Sequence, residues 1–248
     1  MEPALAAVAL LPGLALGSFL NVVAARVPLK RSVVTPASAC MACGTTLAWY
    51  ENIPLLSYAV LRGRCRTCGT TIPWKYPLVE LVTGLLVAAC VLVFGLSWDA
   101  GVAALFCGTL VAVSVTDFER RIIPNRIVLP AAAFVLVAQT VLHPSPEWLL
   151  AGLGASGFLL VAALAYPAGM GMGDVKLALL LGVALGRVVP VALMIGMLSA
   201  LVPALVLLAR HGQAARKMNI AFGPFLALGG VAGLFAGERI LDAYLGML

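Results

Sequence analysis

The chain has 248 residues, 62% of them hydrophobic and 10% charged, with a mean hydropathy of +1.08. That composition excludes a soluble globular domain and describes a chain that crosses a membrane several times. The net charge of +6 follows from membrane orientation and contact with anionic lipid, so it gives no reason to invoke nucleic acid as a partner.

A spanning helix needs about 20 apolar residues. Segments at 4–25, 77–96, 101–117, 127–142, 148–167, 175–186, 188–209 and 220–237 approach that length. They predict an all-α polytopic bundle of about eight transmembrane helices; the sixth, with about 12 apolar residues, is too short to cross a bilayer straight, and a broken or partly re-entrant helix after Gly173 is one way to accommodate it. The first segment begins Met1-Glu2-Pro3 and meets its first cation only at Arg26. Without a basic region ahead of it, it is expected to remain as an anchor with its N-terminus outside.

Cytoplasmic loops retain lysine and arginine, and the cations fit this threading. Arg26, Lys30, Arg31, Arg62, Arg64, Arg66, Lys75, Arg120, Arg121, Arg126, Lys176, Arg210, Arg216 and Lys217 fall inside, leaving only Arg187 and Arg239 outside. No internal repeat is evident beyond a short Gly-Met alternation at 169–173.

The longest polar interruption, 26–75, carries "CMACG" (Cys40, Cys43) and "CRTCG" (Cys65, Cys68), 21 residues apart. Paired Cys-x2-Cys knuckles let four thiolates close on one tetrahedral metal, and the glycine after each permits a tight turn. Structural zinc is the expectation. Two disulfides are the alternative, opposed by the reducing cytoplasm. Cys90 and Cys107 lie in apolar spans, where cysteine packs as a small hydrophobe.

Ionisable residues in or at the ends of spans mark function by default, and three qualify: Glu80, Asp117 and Asp174. Glu80 follows "WKYP" and has a bland reading as a bond between helices or a partner for Lys75. Asp117 stands in "VSVTDFERRIIPN" and has a bland reading as a partner of Arg120 or Arg121. Asp174, in "GMGMGDVKLALLL", has one as the N-cap of a helix.

Two spans separate the aspartates, so both lie at the cytoplasmic face and can meet. Carboxylates sharing a site cannot both ionise cheaply, so one stays protonated while the other serves as a base toward water. Gly171 and Gly173 would let a substrate backbone approach. Lys176 could tune Asp174 or contact lipid phosphate, and Asn21 could join helices or position a substrate. No acyl-enzyme is expected, because Ser114 has no histidine at its depth.

Six ordered stretches carry a resemblance: "GSFLNVVAARVP" (17–28), the two cysteine knuckles, "YPLVELVTG" (76–84), "DFERRIIPN" (117–125), "GMGDVKL" (171–177) and "AFGPFLALG" (221–229). With them the chain resembles the bifunctional prepilin leader peptidase/N-methyltransferases of type IV pilus and type II secretion systems. The resemblance implies an aspartic intramembrane-type protease of the bacterial cytoplasmic membrane. It would remove the leader of prepilins or pseudopilins at the cytoplasmic face and methylate the new amino terminus with S-adenosylmethionine.

Carried over by position, Asp117 and Asp174 match the catalytic pair, and Cys40, Cys43, Cys65 and Cys68 match the metal ligands. Asn21, Glu80, Gly171, Gly173 and Lys176 are candidates for positioning substrate. The methyl-donor pocket falls on no named residues. The implied division is a first transmembrane helix (1–25), a zinc-binding insert (26–75) and a peptidase bundle (76–248). Two other classes fit the carboxylates or the insert: an ion-coupled transporter and a non-catalytic assembly factor.

Overall fold

The computed structural model describes residues 2–166, 170–212 and 221–247. Among them there is no strand, and there are nine α-helices. The cations Arg216 and Lys217, the last residue of the fifth expected span and the first of the eighth lie outside the described residues. The helices gather into two compact units, residues 1–112 and 113–248.

In the first unit, α1 (Glu2–Arg26) packs along α3 (Lys75–Phe94). Lipid offers helices no hydrophobic gain on association, so close approach depends on small residues. Gly13 meets Gly84, and a Cβ on Gly17 would stand 2.6 Å from the Cα of Glu80. The first part of α4 (Trp98–Arg120) completes this unit. Cys90 and Cys107 are fully buried free thiols in hydrogen-bond contact with each other, as small side chains between helices.

Between α1 and α3 the polar insert is built from turns and one short helix, α2 (Leu56–Val60). Its two knuckles prove to be copies. "CMACGTTLAW" and "CRTCGTTIPW" align at six of ten positions, so an internal repeat exists where none is expected. Each copy closes on one isolated antiparallel bridge, Ala39 with Thr46 and Arg64 with Thr71. Cys40 N–H donates to the Thr45 carbonyl at 2.9 Å, and Cys65 N–H to the Thr70 carbonyl at 2.8 Å. Gly44 and Gly69 take φ of +71° and +70°, the left-handed turn expected of them.

The second unit comprises the end of α4, α5 (Asn125–Leu142), α6 (Glu147–Ala165), α7 (Met172–Leu185), α8 (Val189–His211) and α9 (Gly223–Leu245). α7 is its centre. Leu177, Ala178, Leu180 and Leu181 have no exposed surface, as a helix that is apolar all round requires when neighbours enclose it. α5, α6 and α9 supply the enclosure.

Among the described residues seven stretches are long and apolar enough to cross a membrane, and one of them, Met172–Arg210, runs to 39 residues. That stretch folds back at Gly186, whose φ is +54°. Gly196 meets Leu226 while Gly237 meets Val188, so α8 is antiparallel to α9, whereas Leu185 at the end of α7 reaches Gly233 late in α9. The molecule is therefore a multi-pass membrane protein.

Two expectations about the sixth span need correction. It is not broken after Gly173, because α7 begins at Met172 and continues unbroken to Leu185. Nor is Asp174 its N-cap: that place belongs to Gly171, and Asp174 sits three positions further on.

Replacing Gly17 with valine should force α1 away from α3, since the new Cβ has backbone rather than a flexible side chain in its path. Overpacking of this kind costs about 1–3 kcal/mol, read as a lower thermal midpoint of the purified protein.

Candidate active site and metal centre

Asp117 lies in the last turn of α4 and Asp174 in the first turn of α7, both within the second unit. They are almost fully enclosed, with 6% and 8% of their surface exposed. Asp174 is close enough to Asp117 to feel its charge. The structure thus brings together the two aspartates singled out from the sequence.

Buried carboxylates need donors, and both find them in glycine amides. Asp174 Oδ2 accepts the Gly171 N–H at 3.1 Å, while its own N–H returns to the Gly171 carbonyl at 3.1 Å. The helix start and the carboxylate therefore fix each other. Asp117 Oδ2 accepts the Gly223 N–H at 2.8 Å across 106 residues of sequence. Gly223 opens α9 and is followed by Pro224, so its amide is one of the donors a helix cannot satisfy internally. Two helix N-termini, both favourable to negative charge, thus face the pair. Arg121 acts on Asp117 through charge at longer range.

Gly223 is the site residue that the sequence analysis passes over. Its signal was present in "AFGPFLALG", a Gly-Pro pair opening an apolar run. A Cβ there would stand 2.8 Å from Asp117 Oδ2.

The remaining candidates fall in both units. Gly171 supplies a hydrogen bond, and Gly173 lets Ile123 close on α7, where a Cβ would meet the Ile123 Cβ at 2.8 Å. Lys176 Nζ donates to Asn125 Oδ1 at 2.9 Å, tying the starts of α7 and α5. Asn21 and Glu80 belong to the first unit. Asn21 Nδ2 donates to the Tyr76 carbonyl at 3.1 Å, joining α1 to α3. Glu80 Oε2 accepts the Leu55 N–H at 2.9 Å and also bonds Ser18. Leu55 has φ of +59°, a left-handed turn that this carboxylate helps to hold.

The four knuckle cysteines converge, with all sulfurs within 4.8 Å of one another. Sγ of Cys40 and Cys68, from different knuckles, are 3.8 Å apart. A disulfide needs about 2.05 Å, whereas four thiolates about 2.3 Å from a central ion have edges of roughly 3.8 Å. The cluster can hold a metal and is not a pair of disulfides. The Thr70 hydroxyl at 3.3 Å from Cys68 Sγ pushes that thiol down to about 6, and Thr45 lowers Cys43 in the same way. Both favour the thiolate that a metal requires.

Family models match most of this framework. The bacterial peptidase A24 N-terminal domain matches residues 11–94, and the type IV leader peptidase family matches residues 104–209. A prepilin leader peptidase/N-methyltransferase of Bacillus subtilis (strain 168) is 36% identical over 240 residues, covering 95% of this chain and 96% of the relative. This chain belongs to the prepilin leader peptidase family. A Pseudomonas aeruginosa member of that family is 35% identical over 95% of this chain and 92% of its own length. A Myxococcus xanthus member reaches 48% identity over 118 residues, 48% of this chain and 35% of its own. No solved structure matches.

Loaded with zinc and dialysed, the full-length protein should retain about one ion per chain by metal analysis. A Cys43→Ser, Cys68→Ser double variant, which removes one sulfur from each knuckle, should retain almost none.

Proposed function

We propose that this chain is an aspartic endopeptidase of the bacterial inner membrane. It removes the leader of type IV prepilins or pseudopilins at the cytoplasmic face and then N-methylates the new amino terminus. The observation that carries this reading is the pair Asp117 and Asp174, buried together and each anchored on a glycine amide, in a chain of this family.

The chemistry follows from the pair. Each Oδ2 is engaged by an N–H, which leaves the other oxygens for water and substrate. The ionised aspartate takes a proton from water as the water oxygen bonds to the scissile carbonyl carbon. The protonated aspartate donates its hydrogen bond, then its proton, to the carbonyl oxygen. As the tetrahedral gem-diol collapses, the C–N bond breaks, the departing amine receives the proton that the first aspartate took, and the second aspartate takes back a hydroxyl proton, leaving the carboxylic acid product. The glycine amides keep both carboxylates in place through the exchange, which is a gain in orientation.

The N-terminus is outside in this proposal, consistent with the distribution of cations. Residues 26–75 form a zinc-organised cytoplasmic insert, and 76–248 carry the peptidase chemistry. S-adenosylmethionine supplies an electrophilic methyl group: the amine lone pair forms the N–C bond as the C–S bond breaks, sulfur keeps that pair, and the amine's proton passes to water.

Purified protein incubated with a prepilin and S-adenosylmethionine should yield, by intact mass, a product that has lost its leader and gained one methyl group. Asp117→Asn and Asp174→Asn should each slow leader removal by about 10²–10⁴-fold. Intact processing in either variant would remove the dyad from the mechanism and favour a transporter or assembly role. Gly223→Ala displaces Asp117 without removing it and should lower kcat by about 10–100-fold with little change in KM.

A further inference from the structure

We propose that Lys176 is a positioning residue of the peptidase: through Asn125 it straps the segment that leaves Asp117 onto the start of α7, and so sets how far apart the two carboxylates stand. The inference rests on the peptidase half of the proposed function and adds what keeps the pair in register.

The two aspartates are anchored differently. Asp174 is fixed by Gly171, three positions back in its own chain, whereas Asp117 is held from outside its helix by Gly223. A single hydrogen bond fixes an oxygen and lets a helix end pivot about it. The chain that follows Asp117 removes that freedom. Arg121 N–H closes α4 by donating to the Asp117 carbonyl at 2.8 Å, and Arg121 takes φ of +55°, a left-handed turn that arginine rarely adopts. After that turn Ile123 closes on the notch at Gly173, and Asn125 Oδ1 accepts Lys176 Nζ at 2.9 Å. Between these two contacts Pro124 is buried, and its carbonyl accepts the first N–H bond of α5 from Ile127 at 2.9 Å.

Helix geometry separates this strap from the carboxylate itself. Gly173 and Lys176 are three positions apart on α7 and share one face. That face receives both strap contacts. Asp174 is one position on from Gly173, turned away by about 100°. Lys176 is two positions past Asp174, and side chains at that spacing do not face each other. The cation is therefore aimed at Asn125, while Asp174 is left to Gly171 and to its partner aspartate.

A lysine near a helix start opposes the helix dipole, so α7 alone gives no reason to place one there. The bond across 51 positions to the first residue of α5 does. A long stem with a terminal donor is what that span requires, and α5 packs along α7 behind it. Placement is where a catalytic pair is sensitive, because a misplacement of about 1 Å can cost roughly 10²-fold in rate.

The test is steady-state leader removal from a prepilin by the full-length protein in nanodiscs. Lys176→Met and Asn125→Ala should each lower kcat about tenfold with KM unchanged, and the double variant should lose no more than either single one. Lys176→Arg, which keeps a terminal donor, should recover most of the rate. Unchanged kcat in both single variants overturns the strap. So does a raised KM with kcat intact, which would make Lys176 a substrate contact, and so do losses that multiply in the double variant, which would make it act apart from Asn125. Should a Lys176 or Asn125 variant fail to purify, Ile123→Ala opens the strap's other contact: the same loss in kcat at unchanged KM supports the strap, and wild-type kcat overturns it. Unimpaired processing by Asp117→Asn or Asp174→Asn removes the peptidase reading and the strap with it, whereas loss in those variants beside full activity in Lys176→Met removes the strap alone.

Discussion

A carboxylate taken out of water must be met by donors, and in this molecule the donors for both aspartates are main-chain amides of glycine. Side-chain donors would bring their own flexibility and desolvation. A helix N-terminus brings neither, because its amides are already fixed and already unsatisfied. The second unit is arranged around that condition: α7 is enclosed by α5, α6 and α9, α9 starts where Gly223 reaches Asp117, and Gly173 admits Ile123 against the base of α7.

The first unit answers a different problem. A polar insert of some fifty residues between two membrane helices has too little apolar surface to build a core, and it uses thiolates instead. The two knuckles repeat the same bridge, the same left-handed glycine and the same threonine bonded to sulfur. The carboxylate of Glu80 then pins the insert to α3 through Leu55, and Asn21 pins α1 to the start of α3. Polar groups on the membrane helices, read from sequence as candidates for handling substrate, are seen to act first as fasteners between the insert and its base.

How far the sequence could be read depended on whether a feature was local. The eight apolar segments, the knuckles and the two aspartates were legible because hydropathy, spacing and loop charge are written along the chain. The partner of Asp117 was not, because a backbone amide carries no residue identity and this one lies 106 positions away. The duplication in the insert was in plain letters, "CGTT" followed by a tryptophan three positions on, yet its meaning emerged only with the matched bridges. The supposed break after Gly173 came from the shortness of the apolar run, whereas α7 runs unbroken from Met172 to Leu185. Asp174, for which a cap was the bland reading, lies three residues inside the cap, where its side chain can reach back to the true cap residue.

α7 has 14 residues, so it is about 21 Å long. The hydrocarbon of a bilayer is about 30 Å thick, which leaves roughly 9 Å unspanned along this axis. At one end stands Arg187, paired with Glu238 and bonded through its N–H to Glu147; at the other stands Asp174. Because longer helices surround α7, that shortfall is a step in the protein wall, and lipid does not have to thin to meet it. Under the proposed function, a bond presented at that step is cut below the headgroup plane, where water can reach the carboxylates and a lipid-anchored segment need not be lifted out. In that reading the short helix moves the waterline to the substrate.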